Sequence, residues 1–275
     1  RALFAAAAAL SIAAVALICL FLLANGVPAM AEIGLPEFLF GTTWRPVNDL
    51  YGIFPMIVGS LYVTAGAMIV GVPGGLLTAL YFSRFARGRT GSFLRSGVEL
   101  LAGIPSVVYG FFGLVIIVPF VRLLGPGTGL SVLAASLILG IMILPTVITV
   151  AQSALDAVPA RYYEGALALG VDHEHAVFKV VAPAAASGIM AAIVLGLGRA
   201  IGETMAVVMV AGNMPIIPDS LLSGVRTMTA NIVLEMGYAA DLHREALIAT
   251  GVVLFVFILL ITMLLNVIRK RGEAR

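Results

Sequence analysis

The chain has 275 residues, of which 61% are hydrophobic and only 11% charged, and its formal net charge is +2 at pH 7. Its mean hydropathy of +1.11 is far above what a soluble domain of this length needs to build a core, so the composition excludes an ordinary soluble protein. The sequence also lacks a GxxxxGK[ST] phosphate-binding motif, so we expect no ATP hydrolysis by the chain itself.

Apolar segments dominate the sequence and predict how it crosses a membrane. A helix needs about 20 apolar residues to cross a bilayer. Six segments meet that length, near 2–24, 53–81, 100–121, 130–151, 187–211 and 246–268. The pattern predicts an all-α polytopic membrane protein with six transmembrane helices in a single domain, residues 1–275.

The first apolar segment has some features of a secretory signal peptide, because Ala29-Met30-Ala31 mimics a cleavage site. Its apolar run is longer than the roughly 7–15 residues of a signal-peptide core, so we expect a retained span. Because the sequence starts with Arg1 rather than Met, we also expect that residues preceding it are missing.

Basic residues predict the orientation. With six spans, both termini lie on the same side of the membrane as loops 82–98 and 152–186. That side would hold Arg1, Arg84, Arg87, Arg89, Arg95, Arg161, Lys179, Arg269, Lys270, Arg271 and Arg275. The opposite side would hold Arg45, Arg122, Arg226 and Arg244. This bias predicts that both termini are cytoplasmic.

Two longer loops are expected on the outer side. The first, 25–52, is rich in turn residues and carries Trp44 and Tyr51, which suit the membrane interface. The second, 212–245, contains a stretch compatible with a helix, Thr227–Tyr238.

A polar island, residues 158–183, interrupts the apolar runs on the cytoplasmic side. Pro159 suits the first position of a helix, Gly170 a left-handed residue at a helix end, and Asp172 the N-cap of a following helix. Two short helices around a glycine break would form a rigid knob that fits a groove on a partner. An ordinary amphipathic surface loop is the alternative.

The fifth apolar segment carries two charges, Arg199 and Glu203. If the segment is one helix, the two residues stand four positions apart and project from the same face. A charge inside the membrane costs at least about 2.5 kcal/mol and normally faces a cavity or a partner. Either the two charges neutralise each other and fix helix packing, or Arg199 presents its donors to an oxyanion that crosses the membrane. We assign Thr204 to the same substrate pathway, and Gly196, Gly198 and Gly202 would leave room for the ligand.

The spacing within the polar island resembles the EAA loop of ABC importer permeases, whose pattern is E-A-A, three residues, G, nine residues, I-x-L-P. Four residues match it, Glu164, Ala166, Gly170 and Pro183. Three residues depart from the pattern: Gly165 stands where the pattern has its first Ala, Val180 where it has Ile, and Ala182 where it has Leu. The resemblance implies a type I (MetI-like) ABC importer fold and assigns Glu164, Gly165, Ala166, Gly170 and Pro183 to coupling with an ATPase.

Other stretches resemble the permeases of phosphate-specific ABC importers, of the PstC type. They include GLGRAIGETMAVVMVAGN (196–213), FLFGTTWRPVNDLYGIFPMIVGSLYVT (38–64) and ELLAGIPSVVYGFFGL (99–114). This resemblance implies a permease in the bacterial plasma membrane that imports inorganic phosphate. The partners it implies are a second permease of the PstA type, two ATP-binding subunits of the PstB type and an extracytoplasmic phosphate-binding protein of the PstS type. ATP and Mg²⁺ would bind to the partner subunits, so we expect no cofactor, metal or nucleic acid on this chain, which contacts membrane lipid.

Three alternatives are open from the residues alone. A permease for sulfate or molybdate would share the EAA loop, whereas a secondary transporter would have intramembrane Arg and Glu but no ATPase to dock. An intramembrane enzyme would need catalytic or metal-binding groups at membrane depth. The three histidines, His173, His175 and His243, all fall in loops, and the first two point to different sides of any helix.

Overall fold

The computed structural model describes residues 1–86 and 88–273, without the side chains of residues 266 and 268–273. Arg87 and Arg275, together with the side chains of Arg269, Lys270 and Arg271, therefore lie outside the described residues, although they contribute to the predicted charge bias.

The described residues are mostly helical. The helices are α1 (Ala2–Ile33), α2 (Leu35–Phe40), α3 (Phe54–Leu80), α4 (Gly88–Gly103), α5 (Ser106–Phe112), α6 (Val118–Arg122), α7 (Val132–Asp156), α8 (Ala160–Ala168), α9 (His173–Ala176), α10 (Ala182–Ala184), α11 (Ala186–Gly202), α12 (Met205–Val210), α13 (Met228–Glu235) and α14 (Asp241–Glu273). π-Helical turns at Tyr81–Phe85, Gly113–Ile117 and Val177–Val181 extend α3, join α5 to α6 and join α9 to α10. Two short strands, β1 (Trp44–Arg45) and β2 (Leu50–Tyr51), pair in antiparallel register around a 3₁₀ turn at Pro46–Asn48.

The lengths and apolarity of these helices are those of a multi-pass membrane protein. Among the described residues, four helical segments can cross a membrane, Ala2–Ile33, Phe54–Phe85, Val132–Asp156 and Asp241–Leu265. Two bent pairs raise the number to six if each counts as one span, Gly88–Gly103 with Ser106–Arg122 and His173–Ala184 with Ala186–Gly202. The predicted all-α polytopic fold is confirmed.

The predicted third and fifth spans are not continuous helices. The helices on either side of Pro105 meet at 100°, because proline has no backbone N–H and its ring disfavours helical geometry in the residue before it. In the fifth span, α11 ends at Gly202, and Glu203 takes up an extended conformation with φ −70° and ψ 133°. The sequence signals the bend at Pro105, since a proline within an apolar run is expected to bend its helix, whereas uninterrupted hydrophobicity concealed the break after Gly202.

The chain divides into two compact units. The first comprises Arg1–Ser60, Asn213–Pro218 and Val225–Phe257. In its core the β-hairpin buries Trp44 and Tyr51 together with Met228 of α13. The prediction that Trp44 and Tyr51 lie at the membrane interface is wrong, since both side chains pack inside the protein. Helix α13 confirms the predicted helix within residues 212–245, and the Thr227 hydroxyl caps it by accepting from the Ala230 N–H.

The second unit comprises Leu61–Gly212, Asp219–Gly224 and Ile258–Arg275, and α7 is its central helix. Small residues let neighbouring helices approach α7 closely. A Cβ added at Gly75 of α3 would lie 2.7 Å from Val147, and one added at Gly196 of α11 would lie 2.8 Å from the same side chain. The predicted single domain over residues 1–275 stays a prediction.

Candidate functional site

Arg199 lies near the end of α11, the helix that packs against α7 within the second unit. Its side chain is exposed, and its Nη1 donates a 3.0 Å hydrogen bond to the hydroxyl of Thr146 on α7. A guanidinium has five N–H donors in a rigid plane, and the bond to Thr146 uses one of them. Thr146 therefore fixes one edge of the guanidinium.

Glycines beside Arg199 leave open space. A Cβ added at Gly198 or Gly202 would meet no heavy atom within 4 Å, which agrees with their predicted role as room for a ligand. Gly196 differs, because it packs tightly against α7. The prediction that all three glycines make room for a ligand is therefore wrong at Gly196, whose small size serves helix packing.

Glu203 and Thr204 form the break that follows α11. Since the helix ends at Gly202, Arg199 and Glu203 do not project from one face of a single helix, and that prediction is wrong. Glu203 instead accepts a 3.3 Å hydrogen bond at Oε1 from the N–H of Ala206, in the first turn of α12. The Thr204 hydroxyl donates to the carbonyl of Gly202 at 3.3 Å. Both side chains thus satisfy backbone groups that the interrupted helix exposes.

The polar island folds as helix, glycine break, helix. Gly170 has φ +85°, its N–H donates to the Leu167 carbonyl, and the N–H of Val171 donates to the Ala166 carbonyl. These two bonds are the Schellman arrangement that ends a helix at a left-handed residue, as predicted for Gly170. One detail of the prediction is wrong: Pro159 is extended and precedes the first helical residue, Ala160.

The residues assigned to ATPase coupling differ in exposure. Glu164 and Gly165 of α8 are exposed, as are Gly170 and Pro183, whereas Ala166 is buried. The exposed residues can contact a partner, while Ala166 anchors α8 to the rest of the unit. Their coupling role stays a prediction.

The histidines of the island hold its conformation. Asp172 is the N-cap of α9, as predicted, and its carboxylate accepts from the N–H of His175 at 2.8 Å. This hydrogen bond, reinforced by the His175 side chain, lowers the pKa of the Asp172 carboxyl below its ordinary value. His173 instead shares a 2.7 Å hydrogen bond with the hydroxyl of Tyr163. Within the described part of the chain, no group of three or more His, Cys, Asp or Glu side chains is arranged to hold a metal ion.

A buried charged cluster in the first unit was not predicted. Glu235 at the end of α13 accepts three hydrogen bonds, from Trp44 Nε1 at 2.8 Å, Arg226 Nη1 at 2.5 Å and His243 Nε2 at 2.9 Å. Arg226 also donates to the side chain of Asn231 at 3.0 Å. The sequence offered one signal for this cluster, because Arg226, Glu235 and His243 are three titratable residues within the single loop 212–245. Their partner Trp44 lies in a different loop, so the sequence alone did not bring the four residues together. The contacts show that these groups hold the β-hairpin, α13 and the start of α14 together within the first unit.

Residues 71–273 match the family described as binding-protein-dependent transport system inner membrane component. A probable ABC transporter permease protein, YqgH of Bacillus subtilis (strain 168), is 36% identical over 280 residues, which cover 99% of this chain and 91% of that protein. The phosphate transport system permease protein PstC of Mesorhizobium japonicum is 33% identical over 279 residues, covering 94% of this chain and 85% of that protein. PstC 1 of Mycobacterium tuberculosis (strain ATCC 25618 / H37Rv) is 35% identical over 252 residues, covering 84% and 74%.

A solved structure extends the comparison to the fold. An inward-facing conformation of the MetNI methionine ABC transporter (CY5 native crystal form) superposes with a TM-score of 0.63, covering 84% of this chain and 99% of that chain. The sequences are only 20% identical, so this likeness concerns the fold alone. It confirms the predicted MetI-like permease fold.

Proposed function

This chain belongs to the family of binding-protein-dependent transport system inner membrane components, and from that premise we propose that it is the permease subunit of an ATP-driven importer of inorganic phosphate. Relatives named as phosphate transport permeases align with most of its length, which supports this choice of ion. The observation that carries the proposal is the position of Arg199, held by Thr146 and flanked by open space at Gly198 and Gly202.

The chemistry of Arg199 fits an oxyanion. The guanidinium plane can hold two oxygens of one tetrahedral anion, whereas an ammonium group acts as a point charge. Near neutral pH, inorganic phosphate carries at least one proton, and a carboxylate such as that of Glu203 can accept a hydrogen bond from it. In this proposal Arg199, Glu203 and Thr204 line the substrate pathway.

The rest of the assembly follows from the same proposal. A second permease of the PstA type completes the pathway, two ATP-binding subunits of the PstB type bind ATP and Mg²⁺, and an extracytoplasmic protein of the PstS type delivers phosphate. The chain itself catalyses no reaction and holds no cofactor. It lies in the bacterial plasma membrane with both termini cytoplasmic, so the coupling loop, residues 158–183, faces the ATP-binding subunits.

The test is reconstitution of the purified permease pair with its ATP-binding subunits and binding protein in lipid vesicles. We expect uptake of labelled phosphate that requires ATP, stops when the binding protein is omitted, and resists an excess of sulfate. Uptake of sulfate or molybdate in place of phosphate would assign the chain to another oxyanion. ATP-independent uptake driven by a proton gradient would overturn the proposal in favour of a secondary transporter.

A further inference from the structure

The π-helical turn that ends α3 contacts both helices around the glycine break. The ring of Phe85 meets the ring of His173 edge-on, with centroids 4.7 Å apart and planes at 65°. His173 also bonds to the hydroxyl of Tyr163 at 2.7 Å, and their rings cross at 88°. The guanidinium of Arg84 lies over the Tyr163 ring, 5.9 Å from its centroid. We call these four residues, Arg84, Phe85, Tyr163 and His173, the clasp.

The same turn is fastened to the end of α7. Arg84 Nη2 donates to the carbonyl of Leu155 at 2.9 Å, and the Ser83 hydroxyl donates to the Asp156 carboxylate at 2.5 Å. Arg84 thus contacts the last turn of α7 and the first helix of the loop at once. The side chains of the clasp join α8 and α9 to the ends of two long helices.

Helix α7 continues from these contacts to the candidate substrate site. Leu155 and Thr146 belong to the same unbroken helix, and Thr146 holds Arg199. The stretch of α7 from Thr146 to Leu155 follows Pro145 and contains no proline, so it transmits a displacement of its end along its length, because close packing resists compression. A path of direct contacts therefore runs from Tyr163 and His173 through Arg84 and α7 to Arg199.

We propose that the clasp is the positioning device through which a displacement of the coupling loop reaches α3 and α7. This inference rests on the proposed function, because it assumes that ATP-binding subunits press on the loop. Other parts of the loop are exposed and available to a partner, including Glu164 and Gly165. The clasp residues are instead partly buried and contact other elements of the unit, so a displacement of the loop would pass through these contacts.

Two substitutions and one control variant test the proposal in the reconstituted complex. Tyr163→Phe and His173→Gln each remove the hydrogen bond between α8 and α9. The control, Tyr62→Phe, changes the same residue type as Tyr163→Phe at an exposed position of α3, outside the coupling loop. ATP hydrolysis and ion uptake are measured on the same preparations, and the result is the number of ions taken up per ATP hydrolysed.

We expect Tyr163→Phe and His173→Gln to lower this ratio by about two- to tenfold, the factor that one hydrogen bond of ordinary net strength controls. The control, Tyr62→Phe, should keep the wild-type ratio. A role in stability or assembly alone would lower uptake and hydrolysis in parallel and leave the ratio unchanged. An unchanged ratio in the clasp variants would overturn the proposal.

A covalent substitute for the clasp provides a rescue test. Phe85→Cys and His173→Cys are combined on a Cys19→Ser background and tied with a short bifunctional thiol reagent. We expect the untied double variant to be poorly coupled and the tied one to recover toward the wild-type ratio. Complete cross-linking without recovery would overturn the proposal, and Phe85→Cys alone controls for the reagent.

Measuring how strongly the binding protein stimulates ATP hydrolysis separates two outcomes. In one the clasp proposal is wrong, and in the other phosphate is not the transported ion. In the proposed assembly the extracytoplasmic binding protein and the ATP-binding subunits lie on opposite sides of the membrane, so the binding protein can stimulate ATP hydrolysis only through the permease. This effect does not require that phosphate is the ion transported. Cross-link-dependent recovery of this stimulation would support the clasp even if the wild-type complex took up no phosphate. Phosphate uptake with no effect of the clasp variants on either readout would overturn the clasp alone.

Discussion

The indole of Trp44 donates a 2.8 Å hydrogen bond to the carboxylate of Glu235, which lies 191 positions further along the chain. This bond joins the β-hairpin to the end of α13. The same Oε2 atom accepts from His243, at the start of α14, while Oε1 pairs with Arg226. One carboxylate therefore holds three separate segments of the first unit, and its removal leaves a largely buried guanidinium without its counter-charge.

Substitution of Glu235 should destabilise the first unit. Removing one partner of a buried ion pair costs about 3–5 kcal/mol, so we expect Glu235→Ala to lower the temperature of unfolding in detergent clearly. Trp44 is the only tryptophan, so its fluorescence reports on this cluster selectively. Glu245→Ala, at an exposed position of α14, is the matched control. An unfolding temperature equal to that of the wild type would show that the cluster contributes no net stability.

Local signals in the sequence predicted local structure well. Gly170 and Asp172 act on backbone groups within a few residues of themselves, and both predicted helix ends are found. Predictions that needed distant partners failed. Trp44 and Tyr51 have the amphipathic character of interface residues, and only the fold brings Trp44 to Glu235.

The break after Gly202 escaped prediction for a different reason. Span prediction rests on hydropathy, and residues 205–211 continue the apolar run of α11. A glycine followed by an extended Glu203 interrupts the helix without changing that signal. Consequently, the sequence identified Arg199 and Glu203 as unusual residues but placed them in the wrong mutual geometry.

The left-handed turn at Gly170 should be essential for coupling. A non-glycine residue at φ +85° costs about 1–2 kcal/mol, which corresponds to about a tenfold loss of correctly folded loop, so Gly170→Ala should reduce ATP-dependent uptake by that order. Gly170→Pro should abolish uptake, since proline cannot adopt a positive φ. Membrane insertion, followed by the amount of protein in purified membranes, should remain normal for both.

Gly165→Ala is the matched control for Gly170. Gly165 lies within α8, an added Cβ there would meet no heavy atom within 4 Å, and alanine favours a helix. Uptake by Gly165→Ala should equal that of the wild type. Glu164→Lys, which reverses an exposed charge beside it, should abolish uptake if an ATP-binding subunit docks there. Normal uptake by both Gly170→Ala and Glu164→Lys would remove the loop from the coupling mechanism.

The proposed orientation predicts which loops react with an impermeant thiol reagent. Asp219 and Arg89 are both exposed in the structure, so a cysteine at either position can react once the reagent reaches it. On a Cys19→Ser background, Asp219→Cys should react in intact cells from outside. Arg89→Cys should react only after the membrane is opened. The opposite pattern would invert the orientation and remove the coupling loop from the cytoplasm.

The pairing of Arg199 with Thr146 allows a graded test of the substrate pathway. Thr146→Val keeps the shape of the side chain but removes the hydroxyl that holds the guanidinium, so we expect phosphate uptake to fall by about two- to tenfold. Thr149→Val, an exposed position one turn further along α7, is the control and should leave uptake unchanged. Equal uptake by Thr146→Val and the wild type would show that this hydrogen bond does not position Arg199 for transport.

Arg199 itself should tolerate neither loss nor conservative replacement. Hydrogen bonds to charged groups are worth about 1.5–3 kcal/mol, so Arg199→Lys, which replaces a planar fork by a point charge, should slow uptake by about ten- to hundredfold. Arg199→Gln, which removes the charge, should reduce uptake below detection. Glu203→Gln retains an oxygen that can accept from the Ala206 N–H, so it should preserve the helix break and lower the rate more than the preference for phosphate over sulfate. Labelled phosphate uptake is measured with and without excess sulfate, at equal amounts of each variant in the membrane. Wild-type uptake by Arg199→Gln would restrict Arg199 to packing between α7 and α11, and the anion site would have to lie elsewhere.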